Sequence, residues 1–215
     1  MTIDPNMANP PLKAAIFDIG RVLVRLDLPR AIEGLSHGVS LSSEELWAVI
    51  EKDPRWRDWQ EGRISPHDWH LHITKRLGSP LKFEEFREAW NRALDPAPIH
   101  SDDLFKTLSR KLKLALLSNT DPIHVQFLES HYSFFEYFPA SARIYSCSVR
   151  ASKPSPVMFQ AALKAVKTLA GQAVFIDDLL ANVEAARSLG LHTFQYLDPA
   201  QLRCELRSLD PSLNL

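Results

Sequence analysis

The chain has 215 residues, 45% of them apolar and 24% charged, which suits one globular domain, or a domain carrying an inserted subdomain, and excludes a disordered chain. Its formal net charge of −1 excludes nucleic-acid binding through a broad basic surface, although a local field can still hold a small anion. The two cysteines, Cys147 and Cys204, have neither CxxC spacing nor a histidine cluster, so a disulfide framework and a zinc site are excluded, and no apolar stretch approaches the roughly 20 residues of a membrane span.

These features predict a soluble protein of a reducing, cytoplasmic compartment. The N-terminal stretch MTIDPNMANPPLK has no basic segment followed by an apolar one, so it does not read as a signal peptide. Its first eleven residues, rich in Pro and Asn, are expected to form a loose leader.

The first ordered element is AAIFDIGRVLV, residues 14–24. Asp18 interrupts this apolar run, and burying an unpaired carboxylate costs several kcal/mol. A strand that ends at Asp18, with a use for the acid at its tip, resolves the conflict. From about Leu28 to Pro98 the pattern changes. The segments SSEELWAVIEKD, SPHDWHLHITKRLG and KFEEFREAWNRAL are amphipathic at helical spacing, and two of them follow Ser caps with acidic first turns. All five tryptophans fall here. The expectation is a separate helical unit without strands, with LDPAPIH as the linker returning to the main domain.

After this insert the strand-like runs resume. LKLALLSNT ends in polar residues at Ser118–Thr120, RIYSCS is a weaker run, AVFIDD ends at Asp177 and Asp178, and HTFQYL closes the series. Short apolar runs without alternation suit strands covered on both faces, as in a parallel sheet. The segments PIHVQFLESHY, SPVMFQAALKAVKTLAG and LANVEAARSLG between them read as helices, the last closed by Gly190 at the position of a C′ glycine. The predicted fold class is therefore α/β: a Rossmann-like open parallel sheet flanked by helices, residues 1–27 and 99–215, with an α-helical insert over residues 28–98.

In such a sheet Asp18, Ser118 and the Asp177–Asp178 pair all fall at the carboxyl edge, where open α/β folds bind ligands. Lys153, in RASKPSP, stands just ahead of a helix near the same edge. Each part has an ordinary reading: Asp18 as a strand-end acid, Ser118 to Asp121 as a helix cap run, Lys153-Pro154 as a surface turn. The adjacent aspartates are harder to explain without a cation. Together, three carboxylates, a hydroxyl and a lysine form a site suited to a phosphate and Mg²⁺.

These residues and their order resemble the haloacid dehalogenase superfamily. FDIGRVLV is similar to its nucleophile loop, LLSNT to its hydroxyl motif, KPSPVMFQAAL to its lysine motif, and VFIDDLLANVEAARSLG to its acidic motif. The insert resembles a C1-type cap. WQEGRISPHDW is similar to a cap segment of the branch that holds α-D-glucose-1-phosphate phosphatase-like proteins and the phosphatase domain of soluble epoxide hydrolases. The resemblance implies a Mg²⁺-dependent phosphatase acting on a small phosphorylated metabolite, such as a sugar phosphate. Asp18 would be the nucleophile that carries an aspartyl phosphate. Asp18, the Gly20 carbonyl and Asp178 would ligate the metal, with Asp177 sharing that duty. Ser118 and Asn119 would bind phosphate oxygens, and Lys153 would offset the charge on nucleophile and phosphate.

One position departs from the common pattern. Most phosphatases of the superfamily carry a second aspartate two residues after the nucleophile as general acid, and here Gly20 stands there. Asp27 could replace that acid or simply cap the first insert helix. Arg21 could aid phosphate binding or be a solvated surface charge. Two alternatives to the phosphatase follow: a metal-independent 2-haloacid dehalogenase, which has no need of the acidic pair, and a non-catalytic binding protein on the same fold. His67, His70 and His72 lack a further ligand and read as helix residues rather than a metal site. Trp56, Trp59 and Trp69 read as core of the insert rather than a stacking platform for a sugar.

Overall fold

A computed structural model describes residues 11–215. The expected leader lies outside the described residues, apart from Pro11. Five parallel strands form one sheet: β1 (Ala14–Phe17), β4 (Lys113–Ser118), β5 (Arg143–Tyr145), β6 (Ala173–Asp177) and β7 (His192–Gln195), in the spatial order β5-β4-β1-β6-β7. A separate antiparallel pair is made by β2 (Val24–Leu26) and β3 (Leu94–Pro98).

The sheet is buried on both faces, and alternate residues of each strand serve opposite cores. Ala15 and Phe17 of β1, Leu114 and Leu116 of β4, and Val174 and Ile176 of β6 enter one cluster. Their neighbours Ala14, Ile16, Ala115, Leu117, Ala173 and Phe175 enter the other. This is why the runs read as continuously apolar: period two persists, but neither face meets water. The helices α6 (Asp102–Ser109), α7 (Pro122–His131), α8 (Ser146–Val149), α9 (Pro156–Val166), α10 (Leu180–Ser188) and α11 (Pro199–Leu209) lie along the rest of the chain. Gly190 stands at C′ of α10 with φ 86°, and the bonds Gly190 N to Arg187 O and Leu191 N to Ala186 O complete the capping turn.

Five helices lie between β2 and β3: α1 (Leu28–Leu35), α2 (Ser43–Glu51), α3 (Trp56–Gln60), α4 (Pro66–Leu77) and α5 (Phe83–Asn91). Ser42 caps α2 in a reciprocal box with Glu45, and Ser65 caps α4. These helices enclose their own cluster, with Leu46, Ile50, Trp59, Trp69, Ile73 and Phe86 among its buried members.

The strand-free insert is corrected at one point. LDPAPIH is not a plain linker, because Leu94–Pro98 forms β3, pairing Leu94 with Leu26 and Pro98 with Val24. Two prolines hid this strand from the sequence pattern. In a two-stranded ribbon every strand is an edge, and an edge tolerates residues without an N–H. Together β2 and β3 form the stem on which the helical insert stands.

A second attachment is polar. Trp90 Nε1 of α5 donates to Asp121 Oδ2 at 3.0 Å, and Asp121 Oδ1 accepts the main-chain N–H groups of Ile123 and His124 as the N-cap of α7. His124 Nδ1 lies 3.0 Å from Asp121 Oδ2, its Nε2 bonds Trp90 O at 3.1 Å, and its ring stacks on Trp90. Burial pushes the His124 imidazole toward neutrality, but the Asp121 charge and these bonds outweigh it, so its pKa ends above the ordinary 6.5. A group raised in this way stabilises fully below its unfolded pKa and loses that contribution as pH rises through the folded value. The unfolding free energy in urea is therefore expected to fall as pH rises above about 6.5. His124→Gln should remove that part of the slope, and an unchanged slope would assign it to another group.

Among the described residues no helix is long and apolar enough to cross a membrane.

Candidate active site

The centre of the site is built by the carboxyl ends of β1, β4 and β6. Asp18 directly follows β1, and its N–H continues the ladder to Ile176 O at 2.9 Å. Ser118 ends β4 and Asp177 ends β6. Lys153 arrives from the loop before α9 and is itself buried. Its Nζ donates to Asp18 Oδ1 at 2.7 Å and to Asp177 Oδ2 at 2.6 Å, so one ammonium joins the tips of two adjacent strands.

Burial raises the pKa of Asp18 and outweighs the opposing attraction of Lys153; Asp177 adds to the rise, and the carboxyl reaches about 6. Lys153 is lowered by burial but raised more by Asp18 and Asp177, so it stays an ammonium. Asp178 is likewise raised, by burial first and by its neighbour Asp177 second.

The oxygens of Asp177 are spent within the protein. Besides Lys153 it accepts Leu179 N at 2.8 Å, and Asn182 Nδ2 reaches both of its oxygens at 3.1 Å. Asp178 is more open, facing Arg21 Nη1 at 3.6 Å. One oxygen from each of Asp18, Asp177 and Asp178 can be chosen so that all three lie within 4.8 Å of one another. Against these three charges stand Lys153 and the longer Arg21 contact. This surplus of oxygen donors fits a hard divalent cation such as Mg²⁺.

Asn119 has a definite task. Its Oδ1 accepts Lys153 N at 2.7 Å and its Nδ2 donates to Lys153 O at 3.0 Å, so the side-chain amide clamps the lysine's backbone. The Asn119 side chain is thus occupied within the protein. Arg21 occupies the left-handed region with φ 59° in the turn after Gly20, where Arg21 N bonds Val24 O at 2.7 Å. That turn folds the loop after Asp18 back on itself and ends in the bridge between Gly20 and Val24.

A chamber of about 310 Å³ lies beside these strand ends. Gly20, Arg21, Ser118 and Asn119 line it from the sheet edge, and Leu26, Trp47, Glu51, Trp56, Gln60 and Trp90 line it from the stem and insert. The tryptophan expectation therefore divides. Trp59 and Trp69 are fully buried and stacked with centroids 5.6 Å apart, whereas Trp56 reaches the chamber. Asp27 is not among the lining residues. Its Oδ1 accepts Arg30 N at 3.2 Å as the N-cap of α1, which is the capping reading of that residue. His70 Nε2 bonds Leu81 O and His72 Nε2 bonds Asp53, so both rings have partners within the insert.

Three residues at or beside this site are not singled out by the sequence, although Asn182 and Glu61 lie within the segments VFIDDLLANVEAARSLG and WQEGRISPHDW. Asn182 sits five residues after Asp177 on an apolar helix, and a buried amide on such a face is the one trace it leaves in sequence. Ser146 bonds Thr120 N, Thr120 O and Gln60 O, joining three segments distant in the chain. Glu61 is almost fully buried yet lies in a charged stretch that reads as surface.

Removing the central ammonium tests this electrostatic account. Lys153→Met keeps the length and leaves Asp18 and Asp177 facing each other. In EDTA at about pH 8 it is expected to cost about 3–5 kcal/mol in urea unfolding. The cost should shrink as pH falls, beginning above pH 6, because losing Lys153 raises the Asp18 carboxyl beyond the value of about 6 that it has beside the lysine. A variant as stable as the wild type at the higher pH would contradict the account.

Comparison with known proteins agrees with this geometry. Residues 12–190 match the haloacid dehalogenase-like hydrolase family. The chain is 25% identical over 202 residues to D-ribitol-5-phosphate phosphatase of Bacteroides thetaiotaomicron, covering 91% of this chain and 97% of that protein. It is 27% identical to sesquiterpene phosphatase astK of Aspergillus oryzae, covering 92% and 96%. The crystal structure of the HAD family enzyme bt-2542 from Bacteroides thetaiotaomicron, in complex with magnesium and inorganic phosphate, superposes with a TM-score of 0.77 at 27% identity, covering 87% of this chain and 96% of that one. With its parallel sheet, its acidic strand ends and a family match over most of its length, the chain belongs to the haloacid dehalogenase-like hydrolases.

Proposed function

We propose that this hydrolase is a Mg²⁺-dependent phosphatase that cleaves a small phosphomonoester through an aspartyl phosphate on Asp18. The observation that carries the proposal is the meeting of Asp18, Asp177 and Asp178 around one buried lysine. A dehalogenase has no need of that acidic pair, and both curated relatives described above bear the names of phosphatases.

Asp18, the Gly20 carbonyl and Asp178 would hold the ion, with Asp177 in a supporting place because most of its capacity is used by Lys153, Leu179 and Asn182. Bound Mg²⁺ supplies charge neutralisation between an anionic nucleophile and a phosphate dianion. The chain's own groups do the rest. Asp18 attacks phosphorus with the oxygen that Lys153 leaves free, and the P–O bond to the organic group breaks. Ser118 Oγ and the Asn119 N–H donate to phosphate oxygens, and Lys153 keeps Asp18 oriented while opposing the growing negative charge. Water then hydrolyses the acyl phosphate, releasing inorganic phosphate and restoring the carboxylate.

Residues 28–98 are read as a cap over a core formed by residues 1–27 and 99–215. The reading draws support from the insert's own apolar cluster and its stem of β2 and β3. The chamber between cap and core sets tryptophan faces beside Glu51 and Gln60. That mixture suits an organic group with both C–H faces and hydroxyls, as in a sugar phosphate, and the relative named for D-ribitol-5-phosphate supports the same class. The free thiols of Cys147 and Cys204 are in keeping with a cytoplasmic setting, and the net charge with a small anionic partner rather than nucleic acid.

The direct test is hydrolysis of an aryl phosphate. Activity should vanish in EDTA, return with Mg²⁺, and be abolished by Asp18→Asn without loss of fold. Full activity in EDTA would overturn the proposal.

A finer test addresses the absent second aspartate. A positioned general acid contributes about 10²–10⁴ in rate, and glycine supplies none. Activity should therefore rise steeply as the leaving group becomes less basic. Asp27→Asn should leave the ratio of alkyl to aryl rates unchanged, because Asp27 serves as a helix cap. The three atoms nearest a Cβ at Gly20 all belong to the Leu26 side chain, the closest at 3.5 Å, so Gly20→Asp has room and should speed alkyl substrates selectively. A flat dependence on leaving group would point to an acid supplied elsewhere.

A further inference from the structure

The segment Gln60–Arg63 crosses from the helical insert to the loop that carries Lys153. Glu61 is 1% exposed, a rare state for a glutamate. Its carboxylate takes Arg57 Nε at 3.0 Å, an Arg63 guanidinium N–H, and the Ser152 hydroxyl at 3.1 Å. Ser152 is the residue immediately before Lys153. Arg63 Nη2 also donates to Arg150 O at 3.2 Å, and Ser146 Oγ donates to Gln60 O at 2.8 Å. Between these bonds lies Gly62, at φ 65°, where a Cβ would stand 2.1 Å from Cys147 O. The two backbones meet so closely that only glycine fits.

We infer that Glu61 is a positioning residue for Lys153, fixing the lysine loop from the insert through Ser152 and thereby setting the ammonium between Asp18 and Asp177. Lys153 is gripped on its own main chain by Asn119, from the core, and on the preceding residue by Glu61, from the insert. The Glu61 grip exists only while the insert is docked. Loss of either hold lets the Nζ drift from two contacts of 2.6–2.7 Å, and displacements well below 1 Å matter for such a group. The two arginines serve Glu61 rather than the reaction, since they keep a buried carboxylate charged and hold it in one rotamer.

The inference goes beyond the phosphatase reading and rests on it only for its kinetic readout. Hydrogen exchange in residues 146–155 provides a second readout that needs no activity. Ser152→Ala removes a single hydroxyl at a position that is not among the residues lining the chamber. It should lower kcat for an aryl phosphate about 5- to 30-fold with KM changed less than threefold, and should speed exchange in residues 146–155. Ser152→Thr restores the hydroxyl and should return kcat to within about threefold of wild type. Glu61→Gln should lower kcat at least as much, and the Ser152→Ala, Glu61→Gln double variant should be no slower than Glu61→Gln alone, since both act through one contact. Wild-type kcat and wild-type exchange in Ser152→Ala would overturn the inference, as would multiplicative losses in the double variant. If the wild type shows no Mg²⁺-dependent hydrolysis, the phosphatase reading fails, and the exchange data alone then decide whether Glu61 holds the loop.

Discussion

One buried ammonium sets the terms for the rest of this molecule. Lys153 Nζ lies between Asp18 and Asp177, at the ends of two neighbouring strands, and without it two carboxylates would be packed together out of water. Such a group must be satisfied completely or it destabilises the fold. The surrounding structure supplies that completeness. Asn119 clamps the lysine's backbone, Asn182 and Leu179 fill the remaining capacity of Asp177, and the turn after Gly20 folds the first loop back over the sheet edge. What remains without a hydrogen bond is one oxygen of Asp18, and Asp178 has only the longer Arg21 contact; those are the groups the proposed chemistry uses.

Two polar attachments join the helical insert to this centre, and they do different work. Trp90, Asp121 and His124 connect α5 to the start of α7, directly after the segment that carries Ser118 and Asn119. Glu61 and Arg63 connect the loop after α3 to the segment that carries Lys153. The insert therefore touches the segments that follow β4 and β5, the two strands on one side of β1. Trp90 and Gln60 belong both to the chamber wall and to these attachments, so the shape of the chamber is tied to the placing of the loops at the sheet edge.

The glycine at position 20 changes the balance of the proposed chemistry. With no acid beside the nucleophile, the leaving group must carry more of its own charge in the transition state. The chamber around it is lined largely by Leu and Trp side chains, which exclude water but give no proton. Asp121 and His124 also line the chamber, yet each is engaged with the other and with Trp90. Glu51 and Gln60 remain as the polar groups facing the organic part from the insert.

The sequence by itself determined the parallel sheet, because strands buried on both faces must be apolar at every position and so stand out as uninterrupted runs. It also determined Asp18, Ser118, Lys153, Asp177 and Asp178 as one group, since an acid or a hydroxyl at the end of such a run has a single edge to lie on. Helix caps at Ser42 and Ser65 and the glycine closing α10 were legible for the same local reason: their hydrogen bonds reach only a few residues along the chain. Tertiary structure alone decided the rest. The strand Leu94–Pro98 exists because β2 pairs with it, against the preference of its two prolines. Whether Trp56 faces the chamber while Trp59 and Trp69 stack in the core depends on how five helices pack, which helical spacing does not specify. The grip of Asn119 on Lys153 and of Glu61 on Ser152 spans 34 and 91 positions of sequence. A contact between such distant residues leaves no periodicity or spacing behind, because the chain between them is fixed by other forces.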